Sequence, residues 1–162
     1  MELRKHWDPR VILLAVYVVA LLVYMIIGLK PAGATEPIAS KSLSIPSIGL
    51  KSDVVTLNLE DHRLKTPDTI VGSYSRSKNK TLLIGHSTTI FQELSDVKVG
   101  DVVIYNEKEY HISTTDVVEK TEIRMSRLLK SERKDTIVIM TCAGTLLEDG
   151  DATHRLIITA EA

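Results

Sequence analysis

Apolar positions are distributed in two different ways along this chain. Val11 to Leu29 is an unbroken run without a charged residue, whereas from Leu43 onward apolar residues come in short stretches divided by polar and turn residues. As a helix rising about 1.5 Å per residue, the first run spans about 28 Å, close to the hydrocarbon thickness of a bilayer. It is apolar on every face, which counts against a surface helix of a soluble domain. The pattern predicts a transmembrane helix over 11–29. Arg4, Lys5 and Arg10 precede it and Lys30 alone follows closely, so residues 1–10 are expected in the cytoplasm and the remainder on the extracellular face. Ala32-Gly33-Ala34 has the form of a signal-peptide cleavage site, but the run exceeds the roughly 7–15 residues of a signal-peptide core. An uncleaved single-pass anchor is therefore expected.

Residues 30–42 are rich in small residues and proline and read as a linker. The folded domain is expected over 43–162. Its apolar stretches have strand length: Leu43–Ile45, Val54–Leu57, Thr81–Ile84, Val102–Tyr105 and Leu156–Thr159. Val102–Tyr105 leads through Asn106 to Glu109 into Tyr110–Val118, which predicts a hairpin. Thr136–Thr141 is apolar on both faces and predicts a central strand. Helical signals are short, at Thr89–Asp96 and at Glu122–Lys130. Many short strands with few helices predict an all-β barrel or sandwich.

Composition narrows the function. Lys and Arg total 20 against 21 Asp and Glu, a balance that argues against a nucleic-acid surface. Aromatic residues make up only 4%, too few for a platform that stacks single-stranded bases. One cysteine excludes a disulfide framework within the chain and any cysteine-rich zinc module.

That cysteine, Cys142, directly follows the apolar strand and precedes Ala143-Gly144. An unpaired thiol outside the cell is either buried or used, and position alone leaves both open. A nucleophile needs its thiolate form and hence a basic or cationic neighbour. Among the five histidines, His6 falls in the cytoplasmic segment, His62 in a polar loop, His111 in an alternating strand and His154 ahead of the last strand. His86 follows Leu82-Leu83-Ile84-Gly85, where another buried strand ends. Arg155 opens the last strand, and a guanidinium can hold an oxyanion and favour a thiolate.

The order His86, Cys142, Arg155, in the segments Gly85-His86-Ser87, Val138 to Cys142 and His154 to Ile158, resembles the active-site segments of sortases. Ser44 to Leu50 resembles the family's first strand. Phe91-x-x-Leu94 with Val99 to Val103 resembles the stretch after its histidine. The resemblance covers about Leu43 to Ala160. One departure is Val138, where the family's Thr-Leu-x-Thr-Cys pattern has threonine. The resemblance implies a closed barrel of about eight strands with short helices. It also implies a cysteine transpeptidase acting on secreted proteins with a C-terminal Leu-Pro-x-Thr-Gly-like sorting signal. Cys142 would be the nucleophile, His86 the general acid and base, and Arg155 the oxyanion donor. The acceptor would be an amine of a cell-wall precursor or a pilin-like protein.

Other cysteine enzymes fit less well. Papain-like peptidases place Cys before His, and caspases carry a Gln-Ala-Cys context that is missing here. L,D-transpeptidases carry a Ser-His-Gly-Cys segment, whereas Met140-Thr141 precedes this cysteine. From another functional class, the chain could be a non-catalytic tethered β-domain that binds a wall component or protein. No cofactor is expected. Glu148, Asp149 and Asp151 form an oxygen-rich loop of a kind that can hold calcium, but they read first as a solvated acidic loop.

Overall fold

The structure, a computed structural model, describes residues 10, 13, 17, 41–60, 63–148 and 150–162. The chain divides into two compact units after Ile38. Of the first, Arg10, Leu13 and Tyr17 are described, and all are helical. The rest of the expected span over 11–29 and residues 30–40 of the expected linker 30–42 lie outside the described residues, whereas Lys41 and Ser42 open the first strand and do not belong to the linker. Among the described residues no helix is long and apolar enough to cross a membrane.

The second unit is a closed eight-stranded barrel. Its strands are β1 (Lys41–Ile45), β2 (Leu50–Thr56), β3 (Val71–Ser77), β4 (Lys80–Ile84), β5 (Val102–Tyr105), β6 (Lys108–Glu119), β7 (Thr136–Leu146) and β8 (Ala152–Glu161). Around the barrel they run β1-β2-β3-β4-β7-β8-β6-β5, and β5 pairs back onto β1. The β2–β3 and β4–β7 pairs are parallel, and all others are antiparallel. Closure leaves no sheet edge open to another chain.

Strand alternation sorts side chains between two apolar clusters. Leu43, Ile45, Leu83, Val103, Ile112, Ile137, Ile139, Leu156 and Ile158 fill the barrel, and Phe91 and Leu94 pack with them. The intervening positions Leu82, Ile84 and Val138 form a second cluster on the outer wall, covered by Leu57, Leu64, Leu128 and Leu129. This double burial is why β7 reads as apolar on both faces. The expected hairpin turns through Asn106 and Glu107, both at positive φ (50° and 66°). That is the conformation a two-residue hairpin loop demands, and Asn tolerates it well.

Three expectations are corrected. The strand pattern gave no sign of β3, whose sequence is VGSYSRS. Thr89–Asp96 forms turns with a single 3-10 helix at Leu94–Asp96, and Glu122–Lys130 holds only a four-residue α-helix, Met125–Leu128. Finally, β7 does not end at Cys142 but continues to Leu146, because β8 pairs with it as far as Leu146↔Ala152.

Candidate active site

Two ladders bring the expected residues together. The parallel β4–β7 pairing runs from Lys80↔Thr136 to Ile84↔Met140. His86 and Cys142 each lie two residues beyond that last pair, so they sit beside the same end of the β4–β7 ladder, His86 in the loop after β4 and Cys142 still within β7. Thr141 Oγ1 donates to the Gly85 carbonyl at 2.8 Å in the buried interior, joining the residues that precede them. On the other side, Cys142 pairs with Arg155 across the antiparallel β7–β8 ladder. Directly opposed residues face the same side of a sheet, with side chains close enough to interact. Cys142 and Arg155 share the outer face with Met140 and Ile157, not the barrel interior.

The loop carrying His86 is fixed by its backbone. The His86 carbonyl accepts from Phe91 N–H at 3.1 Å and Thr89 N–H at 3.3 Å. Thr89 Oγ1 donates to the Asp68 carbonyl at 2.7 Å, holding the loop ahead of β3 beside it. The Asp68 carboxylate lies 4.0 Å from His86 Nε2, within ion-pair range of an imidazolium. Gly85 is required by space. A Cβ there would lie 2.7 Å from both Ile90 Cγ2 and Phe91 Cε2, and Phe91 is 1% exposed.

Beyond Cys142, β7 bends at a bulge between Ala143 and Leu146. Gly144 has φ +77°, and a Cβ on it would lie 2.6 Å from both His154 Nδ1 and Thr153 Oγ1. Glycine meets both demands at once. His154 neighbours Arg155 on the opposite face of β8, and its Nδ1 lies 2.8 Å from Thr153 Oγ1. His111 is exposed beside Glu109, and His62 lies outside the described residues.

The guanidinium of Arg155 is largely enclosed, with its side chain 14% exposed. Nη1 donates to the carbonyls of Ala152 (2.9 Å) and His154 (2.8 Å). Nη2 donates to Asp151 Oδ1 at 2.5 Å. Asp151 lines the same cleft as Arg155, whereas the sequence pattern predicts only a solvated acidic loop there. Its Oδ2 pairs with Lys120 Nζ, from the segment joining β6 to β7. Lys120, the backbone N–H of Ala152 and Arg155 together hold its carboxyl well below the usual carboxylate range. No periodicity in the sequence marks it, because its partners come from two places: Arg155 from β8 and Lys120 from the segment between β6 and β7. Of the three loop acids considered for calcium, Asp151 is thus committed to two cations, and Asp149 lies outside the described residues.

His86, Cys142 and Arg155 all line one cleft of about 850 Å³ on the outer wall. Its floor is apolar, with Ile84 and Met140, and its sides include Leu64, Tyr74, Met125 and Leu129. Cys142 also borders a second hollow of about 340 Å³, together with Ser87, Gln92, Thr115 and Leu156. A thiol, an imidazole and a fixed guanidinium lining one largely apolar cleft are the groups that acyl transfer through a thioester requires.

The sortase-domain family model matches residues 43–162. Among solved structures, the chain is similar to a lid mutant of sortase A from Corynebacterium diphtheriae. Identity is 22%, the TM-score is 0.57, and the match covers 76% of this chain and 69% of that one. It is similar to sortase C from Clostridium perfringens SM101, with 25% identity, a TM-score of 0.55, and 74% and 67% of the two chains covered. It is also similar to sortase A from Listeria monocytogenes, with 18% identity, a TM-score of 0.57, and 75% and 85% covered. No curated protein sequence matches it.

Proposed function

The chain belongs to the sortase family, and on that premise we propose that it is a membrane-anchored cysteine transpeptidase. It cleaves a Leu-Pro-x-Thr-Gly-like sorting signal on secreted proteins and joins the acyl product to an amine of a cell-wall precursor or pilin-like protein. The observation that carries this reading is the ladder geometry: β4, β7 and β8 deliver His86, Cys142 and Arg155 to one cleft.

The Cys142 thiolate attacks the threonine carbonyl carbon, forming an S–C bond and a tetrahedral oxyanion. Arg155 donates to that oxygen. The C–N bond then breaks, the departing glycine nitrogen takes its proton from the His86 imidazolium, and a thioester remains. The acceptor amine attacks the thioester, gives a proton to His86, and expels the thiolate. Splitting one acyl transfer this way replaces a difficult step by two easier ones. The larger cleft, mostly apolar, suits the sorting signal, and the smaller hollow beside Cys142 suits the incoming amine. Residues 11–29 supply the anchor, with the barrel on the extracellular face.

The test is to incubate the protein with a panel of sorting-signal peptides and amines and to read products by mass. A thioester on the protein and amine-joined peptide are expected, and both vanish in Cys142→Ala. A wild-type protein that forms neither, or a Cys142→Ala variant that still forms product, defeats the proposal.

A further inference from the structure

The contacts around Arg155 reach further than its own role. Nη1 holds two backbone carbonyls, both close to Arg155 in the chain, and these bonds grip one corner of the planar guanidinium. The bond from Nη2 to Asp151 Oδ1 grips a second corner, with a charged acceptor, and so resists tilting of the group about Nη1. Asp151 is itself held, because Oδ1 also accepts the Ala152 N–H at 2.8 Å and Oδ2 is taken by Lys120. Two donors of Arg155, Nε–H and the second Nη2–H, then have no partner among the described residues.

An aspartate this close would partly cancel the charge that Arg155 offers an oxyanion. Lys120 on the other carboxylate oxygen offsets that. Asp151, Lys120 and Arg155 together carry one net positive charge, with Asp151 between the cations. We infer that Asp151 is a positioning residue that orients the Arg155 guanidinium toward the acyl carbonyl attacked by Cys142, with Lys120 preserving the cationic character of the cluster. This rests on the transpeptidase reading above. Asp151 touches no reacting atom and acts through Arg155, and misplacing a catalytic group by about 1 Å can cost on the order of a hundredfold in rate.

The test is a double-mutant cycle on turnover, with melting temperatures measured alongside. Asp151→Ala is expected to lower kcat about ten- to a hundredfold and to leave KM for the peptide nearly unchanged. Asp151→Asn keeps an oxygen that accepts from Nη2 and is expected to retain most of the activity. In an Arg155→Ala background, Asp151→Ala is expected to cost almost nothing further, since residues that act as one unit are not additive. If Asp151→Ala melts below the assay temperature, Asp151→Ser takes its place in the cycle. Wild-type kcat in the Asp151 truncation, or the same loss in both backgrounds, overturns the positioning role. A wild-type protein that forms no thioester with any sorting peptide defeats the transpeptidase reading itself, which separates the two failures.

Discussion

Thr141 and Gly85 are 56 positions apart in the chain and are joined by one buried hydrogen bond, from the threonine hydroxyl to the glycine carbonyl. Each immediately precedes an expected catalytic residue, so the bond sets the spacing of His86 and Cys142. Thr141→Val keeps the shape and removes the donor, leaving a buried carbonyl unsatisfied. A loss of about 1–3 kcal/mol in stability is expected, with turnover falling more than stability alone explains. Thr141→Ser is expected to restore both. Denaturant unfolding and peptide turnover on the two variants check this.

Arg155 carries the second prediction. Removing an oxyanion donor typically costs about a hundred- to a thousandfold in turnover, and Arg155→Ala is expected to fall in that range with its fold intact. Arg155→Lys keeps the charge but loses the planar fork that spans Ala152, His154 and Asp151, so partial rescue is expected. His86→Ala is expected to reduce turnover severely while leaving the thiol open to alkylation. Turnover within a few-fold of wild type in Arg155→Ala would remove it from the site.

Gly85 offers a packing test. A methyl group there meets the buried Phe91 ring and Ile90, and overpacking of this kind costs about 1–3 kcal/mol. Gly85→Ala is expected to lower the melting temperature and to displace His86, reducing activity. Adding Phe91→Leu, which opens space at the contact, is expected to recover part of both. No recovery in the double variant would contradict the contact.

Alkaline stability isolates a cluster far from the cleft. Burial, followed by the neighbouring Asp135 charge, raises the Tyr110 hydroxyl from 10.0 to about 12. Its O–H donates to Asp135 Oδ2 at 3.1 Å. A folded value above the unfolded one means this contribution is complete below pH 10 and lost as pH rises toward 12. Ultraviolet titration should show a tyrosine ionising near pH 12 that Tyr110→Phe lacks. The same variant should unfold with a flatter alkaline limb.

The anchor is tested in cells. The basic residues before Val11 and the apolar run over 11–29 predict that the barrel lies outside. Protease added to intact cells is expected to digest it, and digestion only after lysis would reverse the orientation.

Much of this architecture is legible in the sequence where burial is simple. Ile137, Val138, Ile139 and Met140 are apolar because one pair faces the barrel and the other the outer cluster, so β7 was evident. β3 was not, because its inward position Ser73 is polar. Its hydroxyl donates to the Val55 carbonyl at 3.1 Å, and Leu57 packs over Gly72 in place of a side chain there. His86, Cys142 and Arg155 stood out as an ordered set. Asp151 could not, because its meaning depends on Lys120, which lies 31 positions away.

The position of β8 in the barrel governs how such a molecule comes into being. β8 is the last of the eight strands in chain order, yet it lies between β6 and β7 and carries Arg155. A chain emerging from the N-terminal end has made its thiol ten positions before Ala152, but β6 and β7 have no partner between them and the cleft has no third wall. Synthesis must pass Ala152 before the barrel can close, so competence arrives in one late event. A chain interrupted before that point exposes two unpaired edges for degradation and carries an inert cysteine in place of a half-working enzyme.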